Sequence, residues 1–283
     1  MEFWTLSEGG EKKLKDRTMN NVLFLSAGAQ WNNKQLTTVY EWFSERFLII
    51  LPSERSPITT VEMLMRAKRD EKWKRLFHAY INDMMQSADF GVHGVDITEQ
   101  DIDAEEIDVE QLRVFSDVPE KVREEIARSL RKVRIEVEFF HRAEPAGKDV
   151  HFSNLEESNG TRRFFELAGP WLLAMVEGRA LLVDELEASL HPHLVRELLE
   201  FFQNPAHART GAQLIFATHD TTFLDPELFR RDQIWFTEKD EHGSTRLYSM
   251  LDYKPRKGEA IQKGYLAGRY GALPIIKSFE LNG

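Results

Sequence analysis

RALLVDELEASLHP, residues 179 to 192, decides the fold, because four apolar residues run directly into Asp184 and Glu185. A short apolar run bounded by polar residues is typical of a buried strand. Carboxylates directly after such a strand lie at the carboxyl edge of an open α/β sheet, where ligands bind. An aspartate there can hold Mg²⁺, and a neighbouring glutamate can polarise an attacking water. The alternative interpretation is two exposed carboxylates that begin a loop.

A second apolar run, QLIFATHD at 213 to 220, ends at Thr218, His219 and Asp220. Two neighbouring strands would then place polar side chains at one edge of the sheet. A histidine in that position can hydrogen-bond a γ-phosphate and sense its loss, whereas a lone histidine at a strand end more often belongs to a capped turn.

A third element, EESNGTRRFF at 156 to 165, places Ser158 before a helical pattern that runs from Arg162 to Val176. The exposed backbone N–H groups at a helix N-terminus bind anions, and the helix dipole favours negative charge there. Taken alone, the turn is better explained as an ordinary N-cap.

The order and spacing of the three elements resemble the ABC-type ATPases grouped with the AAA-like proteins of restriction and phage-defence loci, relatives of the overcoming-lysogenization-defect and recombination-repair heads. In that family SNGT would be the signature, LLVDE the Walker B strand, ASLHP the D-loop and THD the switch. The resemblance extends to VLFLSAGAQWNN and YLAGRYGALPII, and so spans about residues 20 to 276. It implies an incomplete P-loop NTPase-like α/β head, with helices on a mostly parallel sheet and an inserted α+β lobe.

The resemblance also implies residue roles around ATP and Mg²⁺. Asp184 would serve Mg²⁺, Glu185 would position the attacking water, and His219 would sense the γ-phosphate. Residues 188 to 191 would lie along the seam of a homodimer or another head-to-head assembly. The signature residues that would face a nucleotide bound by a second head are Ser158, Asn159, Gly160 and Thr161.

One motif of the family, GxxxxGK[ST], does not occur in the sequence. Its glycine backbone cradles phosphates, its lysine reaches the β and γ oxygens, and its hydroxyl binds Mg²⁺. Gly147 and Lys148 are followed by Asp149, and Arg142 stands where the first glycine would be. We expect the chain to be shortened before Met1, as a fragment, a late start, half of a split ATPase or a decayed copy.

Two functions therefore stay open. In the first, the chain is an ATP-hydrolysing head of a prokaryotic defence or DNA-related complex, with the P-loop supplied by missing residues or by a partner. In the second, it is a catalytically inactive regulatory or scaffold subunit that completes a site in a partner. By analogy with the family, an effector nuclease is a possible partner, and nucleic acid is a possible ligand.

The remaining sequence predicts further elements and three segments. Apolar runs predict strands at 22 to 26 and 47 to 51 with a helix between them. We expect residues 1–59 to form the N-terminal part of the head, 60–150 the inserted lobe and 151–283 the C-terminal ATPase lobe. The other predicted elements are a helix over 60 to 87, strands within 92 to 117, a helix near 119 to 131, a strand at 133 to 140, a helix over 189 to 202 and a hairpin of 234 to 238 with 246 to 250.

Composition limits the classes of function. The chain has no cysteine, which excludes disulfides, thiolate zinc sites and a cysteine nucleophile. Its net charge of −10 argues against a surface that attracts phosphate backbones everywhere, although a local basic groove stays possible. We expect a cytoplasmic protein without a membrane span or signal peptide.

Three other sites or activities are weaker interpretations. A nuclease would need carboxylates from several strands, whereas the acidic residues between Asp96 and Asp108 form one contiguous run. His191 and His193 are spaced to chelate a metal, but Pro192 predicts a D-loop followed by a capped helix. A transporter ATPase fits poorly, because the signature lacks the glycine pair typical of transporters. Arg269 could reach a phosphate or a nucleic acid, although a surface turn arginine is the simpler interpretation.

Overall fold

The computed structural model describes residues 18–19, 22–51, 58–101, 133–143, 148–206, 211–256 and 258–274. The helix expected near 119 to 131, and the acidic residues after Asp101, lie outside this part of the chain. Contacts divide the chain into two compact units. The first comprises Met1–Leu182 with Arg209–Ile215, and the second comprises Val183–Ala208 with Phe216–Gly283. The predicted three-segment division stays a prediction.

The described residues form both helices and strands. The helices are α1 Phe24–Gln30, α2 Lys34–Arg46, α3 Ile58–Arg69, α4 Glu71–Trp73, α5 Ala79–Ser87, α6 Asn159–Glu177, α7 Pro192–Gln203 and α8 Ile261–Leu266, with a π-helical turn at Lys74–His78. The strands are β1 Phe47–Ile50, β2 Val92–Asp101, β3 Val133–Ala143, β4 Lys148–Ser153, β5 Ala180–Val183, β6 Gln213–Phe216, β7 Trp235–Lys239 and β8 Thr245–Ser249. These elements confirm the predicted α/β class.

The sheet that positions the site has the strand order β1-β5-β6. Two hydrogen bonds fix the direction of its last pair: the Gln213 N–H donates to the Arg179 carbonyl at 3.1 Å, and the Ala217 N–H donates to the Val183 carbonyl at 2.9 Å. Both bonds have the same offset along the chain, which is the pattern of parallel strands. The carboxyl ends of β5 and β6 therefore lie at the same edge.

The strand predicted at 22 to 26 is wrong, since this segment begins helix α1. A five-residue apolar run does not distinguish a strand from a buried helix. Here Ala27 and Gly28 are the buried residues of the helix. A Cβ at Gly28 would lie 2.0 Å from Leu36 Cδ1, so the two helices approach closely there. Within the described residues, two helices thus precede the correctly predicted strand β1.

A second sheet is an antiparallel meander of β2, β3 and β4. Phe139 pairs with Val95 on one side and with Phe152 on the other. Strand β4 was not predicted, because KDVHFS has no buried face: Val150 and Phe152 are about two-fifths exposed. Helices α3 and α6 share a buried cluster that consists of Met63, Ala67, Phe77 and Leu172.

Helix α6 forms the core of the first unit and buries twelve of its nineteen residues. Pro170 lies inside it and cannot donate a backbone hydrogen bond to the carbonyl of Glu166. The fully buried Thr60 compensates, because its hydroxyl lies 3.2 Å from the Glu166 oxygen and 2.9 Å from the Phe165 oxygen. Gly178 ends the helix in the left-handed conformation, with φ 67°.

The second unit contains α7 and the predicted hairpin of β7 and β8, in which Phe236 pairs with Tyr248. Its buried cluster consists of Ile234, Phe236, Met250, Ile261 and Tyr270. Pro192 occupies the first turn of α7 and His191 caps it, as the sequence predicts. Of the helices in the described ranges, each is too short or too polar to cross a membrane.

Candidate nucleotide site

Strand β5 carries Asp184 and Glu185 to the edge of the sheet. Leu181 is fully buried and Val183 is nearly so, whereas Asp184, the next residue, is exposed. The buried run fixes the strand, and the change to carboxylates marks the point where it reaches solvent. The predicted placement of these two carboxylates directly after a buried strand is therefore confirmed.

The turn after β5 contains two residues in an unfavourable backbone conformation. Glu185 has φ 48° and Ser189 has φ 62°, in the left-handed region that non-glycine residues rarely adopt. The Ala188 N–H donates to the Glu185 carbonyl at 2.9 Å and closes the turn. Strained residues of this kind cluster at functional sites, because neighbouring structure must hold them.

Strand β6 brings His219 to the same edge. The Leu186 N–H donates to the Ala217 carbonyl at 3.2 Å, which joins the two loops just beyond the strands. His219 Nε2 lies 4.0 Å from Glu185 Oε1. The side chains are 88% and 45% exposed, so both are accessible to a ligand. The structure thus places two of the predicted catalytic residues together.

Glu187 is a member of this edge that the sequence analysis missed. Its Oε1 accepts a hydrogen bond from the His219 backbone N–H at 2.6 Å. Its Oε2 is buried and has no hydrogen-bond partner among the described residues. The signal was available as the second glutamate of DELE, but a carboxylate four residues beyond the strand is also typical of a solvated loop. Glu187 fixes the backbone of the loop that carries His219.

The predicted signature turn begins helix α6 in the first unit. Ser158 is the N-cap: its Oγ accepts the Thr161 N–H at 3.1 Å and lies 2.8 Å from the Thr161 hydroxyl. Asn159 accepts a hydrogen bond from the Arg162 guanidinium. Ser158 and Asn159 are exposed, Gly160 is half-buried and Thr161 is buried. The turn is therefore preformed, with accessible residues at its tip.

The residue before this turn, Glu157, is buried and was not predicted. Its side chain is 6% exposed and bonds to Nε2 of His141, which lies on β3 and is 19% exposed. A buried carboxylate is stable only when it is paired. The pair joins the antiparallel sheet to the start of the signature turn. Ser158 belongs to the first unit, and Asp184, Glu185 and His219 belong to the second, so the convergence of all four stays a prediction.

Asp184 is the residue best suited to a magnesium ion. Mg²⁺ prefers one or two carboxylates together with waters and phosphate oxygens, and an exposed aspartate at a strand end fits that demand. Within the described ranges, no three His, Asp or Glu side chains form a metal-binding group. The rings of His191 and His193 stack 5.3 Å apart, and Nδ1 of His191 accepts the His193 N–H. These contacts agree with a cap and not with a chelate.

Comparisons with known proteins agree with the predicted resemblance. The sequence model described as "AAA domain, putative AbiEii toxin, Type IV TA system" matches residues 23–225. No curated protein matches the sequence. Sixteen chains of solved structures match. One is from work on ATP-driven dimerization and DNA-stimulated activation of SMC ATPases, with 13% identity, a TM-score of 0.35, and coverage of 65% of this chain and 94% of the other.

That structural likeness is too weak to carry a residue role to this chain. The family match is different in kind, since it covers well over half of the 283 residues and includes residues 158–161, the ends of β5 and β6, and residues 188–191. The chain belongs to the family of AAA domains described as a putative AbiEii toxin of a type IV toxin–antitoxin system.

Proposed function

We propose that this chain is an ABC-type ATPase head subunit that binds and hydrolyses ATP with Mg²⁺. The single observation that carries the proposal is the pairing of Glu185 with His219, 4.0 Å apart, beyond the ends of two parallel strands. The family match supports the same class of ligand. A general base beside a γ-phosphate sensor is the arrangement that phosphoryl transfer to water requires.

Each residue at this edge has a role in the proposal. Asp184 holds Mg²⁺, which neutralises charge on the β and γ oxygens when it is bound. Glu185 accepts a hydrogen bond from the attacking water and orients it. His219 donates a hydrogen bond to the γ-phosphate through Nε2. Glu187 acts on His219 through its backbone N–H and does not touch the nucleotide.

The second half of the site comes from the signature turn of another head. Ser158, Asn159, Gly160 and Thr161 would bind the γ-phosphate of a nucleotide on that partner, using a helix N-terminus and exposed polar groups. Dimerisation as a homodimer or a related head-to-head pair then completes the site. Residues 188–191 lie beside the catalytic edge and would form the dimer seam.

The phosphate cradle is the part that the 283 residues do not supply, since they contain no GxxxxGK[ST]. In the proposal it comes from further residues or from a partner chain. The missing motif also favours the alternative, a non-hydrolysing regulatory or scaffold subunit that completes a partner's site. A role in phage defence beside an effector nuclease extends the proposal by analogy with the family alone.

Glu185→Gln tests the catalytic role. In an assembly that supplies the P-loop, we expect turnover to fall by about 10² to 10⁴, because amide nitrogen and oxygen cannot accept the proton of water. ATP should stay bound, and single-turnover measurements with labelled ATP would detect the trapped nucleotide. Glu197→Gln is the matched control, since Glu197 is an exposed glutamate on α7. Unchanged turnover in Glu185→Gln would remove Glu185 from this role.

Calorimetry with Mg-ATP separates the two functions. The purified chain should bind ATP weakly by itself, because nothing in its sequence cradles a triphosphate. Mixing it with a head that has a P-loop should then create hydrolysis that Glu185→Gln abolishes. If the mixture hydrolyses ATP equally well with the unchanged chain and with Glu185→Gln, the chain is a scaffold. Micromolar affinity of the chain alone would show that it contains an unrecognised phosphate loop.

A further inference from the structure

The segment from Lys254 to Arg269 has a charge opposite to that of the protein. It contains five basic residues and one acidic residue, which gives +4, whereas the whole chain carries −10. Lys254, Arg256, Lys263 and Arg269 are exposed. A polyanion would be repelled by most of this protein, so a basic segment of this size marks the place where it could approach.

Four residues of the segment line an open concavity of about 580 Å³, namely Arg256, Gly258, Glu259 and Arg269. Gly258 has φ 81°, and apart from its chain neighbours no atom of the described residues lies within 4 Å of the position that a Cβ would occupy. The floor of the concavity is therefore open to a ligand at this glycine. Two of the lining residues are arginines, and guanidinium groups recognise phosphate through paired N–H donors.

Glu259 fixes both arginines. Its Oε2 accepts the Arg256 backbone N–H at 2.9 Å, and its Oε1 accepts hydrogen bonds from Arg269 Nη1 at 2.6 Å and from the Tyr270 hydroxyl at 3.1 Å. This carboxylate is neutralised by Arg269. The Arg256 guanidinium has no hydrogen-bond or ion-pair partner among the described residues, so its charge is available to a ligand.

An exposed aromatic ring, that of Tyr253, is connected to Glu259 and Arg269 through Tyr270. Tyr253 is 42% exposed, and its ring packs edge-on against Tyr270 with centroids 5.5 Å apart. Tyr270 is itself buried and bonds to Glu259. An exposed ring next to cationic side chains is the arrangement that binds single-stranded nucleic acid, in which bases stack on the ring and phosphates meet the cations.

We propose that the concavity at Arg256 and Arg269 binds phosphates of a single-stranded nucleic acid, with a base stacked on Tyr253. A small phosphate ligand would share the arginine contacts but would not need the tyrosine or the flanking lysines. The site belongs to the second unit and does not depend on the proposed ATPase, so either proposal can fail while the other survives.

Fluorescence anisotropy of a labelled single-stranded DNA oligonucleotide tests the site in the full chain. We expect binding that weakens as salt rises, with the logarithmic slope reduced by about 0.7 in Arg256→Gln, because each phosphate contact releases counterions. Affinity should fall roughly tenfold in that variant. Arg256 makes no described side-chain contact, so this substitution tests the site without unfolding the protein. Tyr253→Ala should weaken binding as well, with Tyr253→Leu failing to restore it.

Arg230→Gln is the matched control. Arg230 is also an exposed, second-unit arginine, and it pairs with Asp232 at 2.9 Å. Its loss should leave the affinity unchanged. Equal weakening in Arg230→Gln and Arg256→Gln would reduce the effect to net charge and overturn the site. No measurable DNA binding would overturn it too. Displacement of the oligonucleotide by equimolar ATP or inorganic phosphate would assign the concavity to a small phosphate ligand. Tighter binding of duplex DNA than of single-stranded DNA would remove Tyr253 from the site.

Discussion

Two regions of the molecule are predicted to bind phosphate: the turn at the start of helix α6, and the two loops that follow β5 and β6. Different interactions hold these two regions in place. The helix buries twelve residues, among them the fully buried Trp171, and its turn is capped by Ser158. The loops expose Asp184 and His219 and include Glu185 in a left-handed conformation. Their connections include the backbone hydrogen bond from Leu186 to Ala217 and the hydrogen bond that Glu187 accepts from the His219 N–H.

This difference in burial assigns different roles to the two regions: the helix mainly stabilises the fold, and the loops carry the proposed chemistry. A buried apolar helix contributes to the free energy of unfolding through the area that it removes from water. Exposed loops with strained backbone contribute little to it and are the usual location of reacting groups. Substitutions in α6 should therefore change stability first, and substitutions in the loops should change turnover first.

Gly169→Ala should have the largest effect on stability. A Cβ at this buried position would lie 2.5 Å from both the α-carbon and Oγ1 of Thr60, and a backbone atom cannot rotate away. We expect the free energy of unfolding to fall by about 3 kcal/mol, as in other overpacked cores. Urea denaturation followed by circular dichroism measures it.

The control for this prediction is Arg162→Ala, at a half-buried position near the start of the same helix. That change should stay within about 0.5 kcal/mol. Adding Thr60→Ala to Gly169→Ala should not rescue stability, because the new methyl group would still collide with the backbone of residue 60. A rescued double variant would show that the side chain alone fills the space.

Thr60→Val should have the next largest effect. Valine keeps the shape but removes the hydroxyl, which accepts the Gly169 N–H at 3.1 Å and donates to the Glu166 carbonyl, to which Pro170 cannot donate. Buried backbone groups without partners cost about 1 to 3 kcal/mol, so we expect a loss of about 2 kcal/mol. Thr60→Ser retains the hydroxyl and should retain most of this hydrogen-bond contribution. Equal losses in both variants would assign the effect to the methyl group.

These contacts show which parts of the molecule a sequence can predict. Strand β5 was predicted with its bounds, because an apolar run that ends in two charges admits few alternatives. The run at 22 to 26 lacked such an end and proved to be helical. Asp184, Glu185 and His219 were predicted as site residues because they follow strands, and the approach of Glu185 to His219 needed only the parallel pairing of those strands.

The residues that the sequence did not reveal act over long separations. Thr60 completes α6 more than one hundred positions later, and no local pattern distinguishes it from a surface threonine. Glu157 is buried only because His141 arrives from another sheet. Glu187 gains its role from the backbone of a loop that follows a different strand. Each depends on tertiary contacts, which a single sequence does not specify.

Ser158→Ala should reduce stability by about 1 kcal/mol, because it removes the cap that accepts the Thr161 N–H. This result would mean that the predicted phosphate-binding serine also stabilises the helix. Ser158→Thr keeps a hydroxyl and should lose little. Thermal melts of the three proteins measure the effect. If Ser158→Ala melts like the unchanged protein, the turn is fixed by Glu157 and the buried Thr161 alone.

The smallest effect should come from the ion pair that ties α7 to the turn after His219. Arg196 Nη1 lies 2.8 Å from Asp225 Oδ2, and hydrogen bonds from Arg196 and from the Glu227 N–H lower the pKa of Asp225 below its ordinary value of 3.8. A lowered pKa in the folded state stabilises the protein above the ordinary value, and this contribution disappears as the pH falls through the folded-state pKa. Exposed pairs contribute at most about 1 kcal/mol.

Asp225→Asn should therefore be slightly less stable than the unchanged chain near neutral pH, and the two should converge in strong acid when urea midpoints are compared. A difference in stability that persists in acid would mean that Asp225 acts through packing and not through its charge.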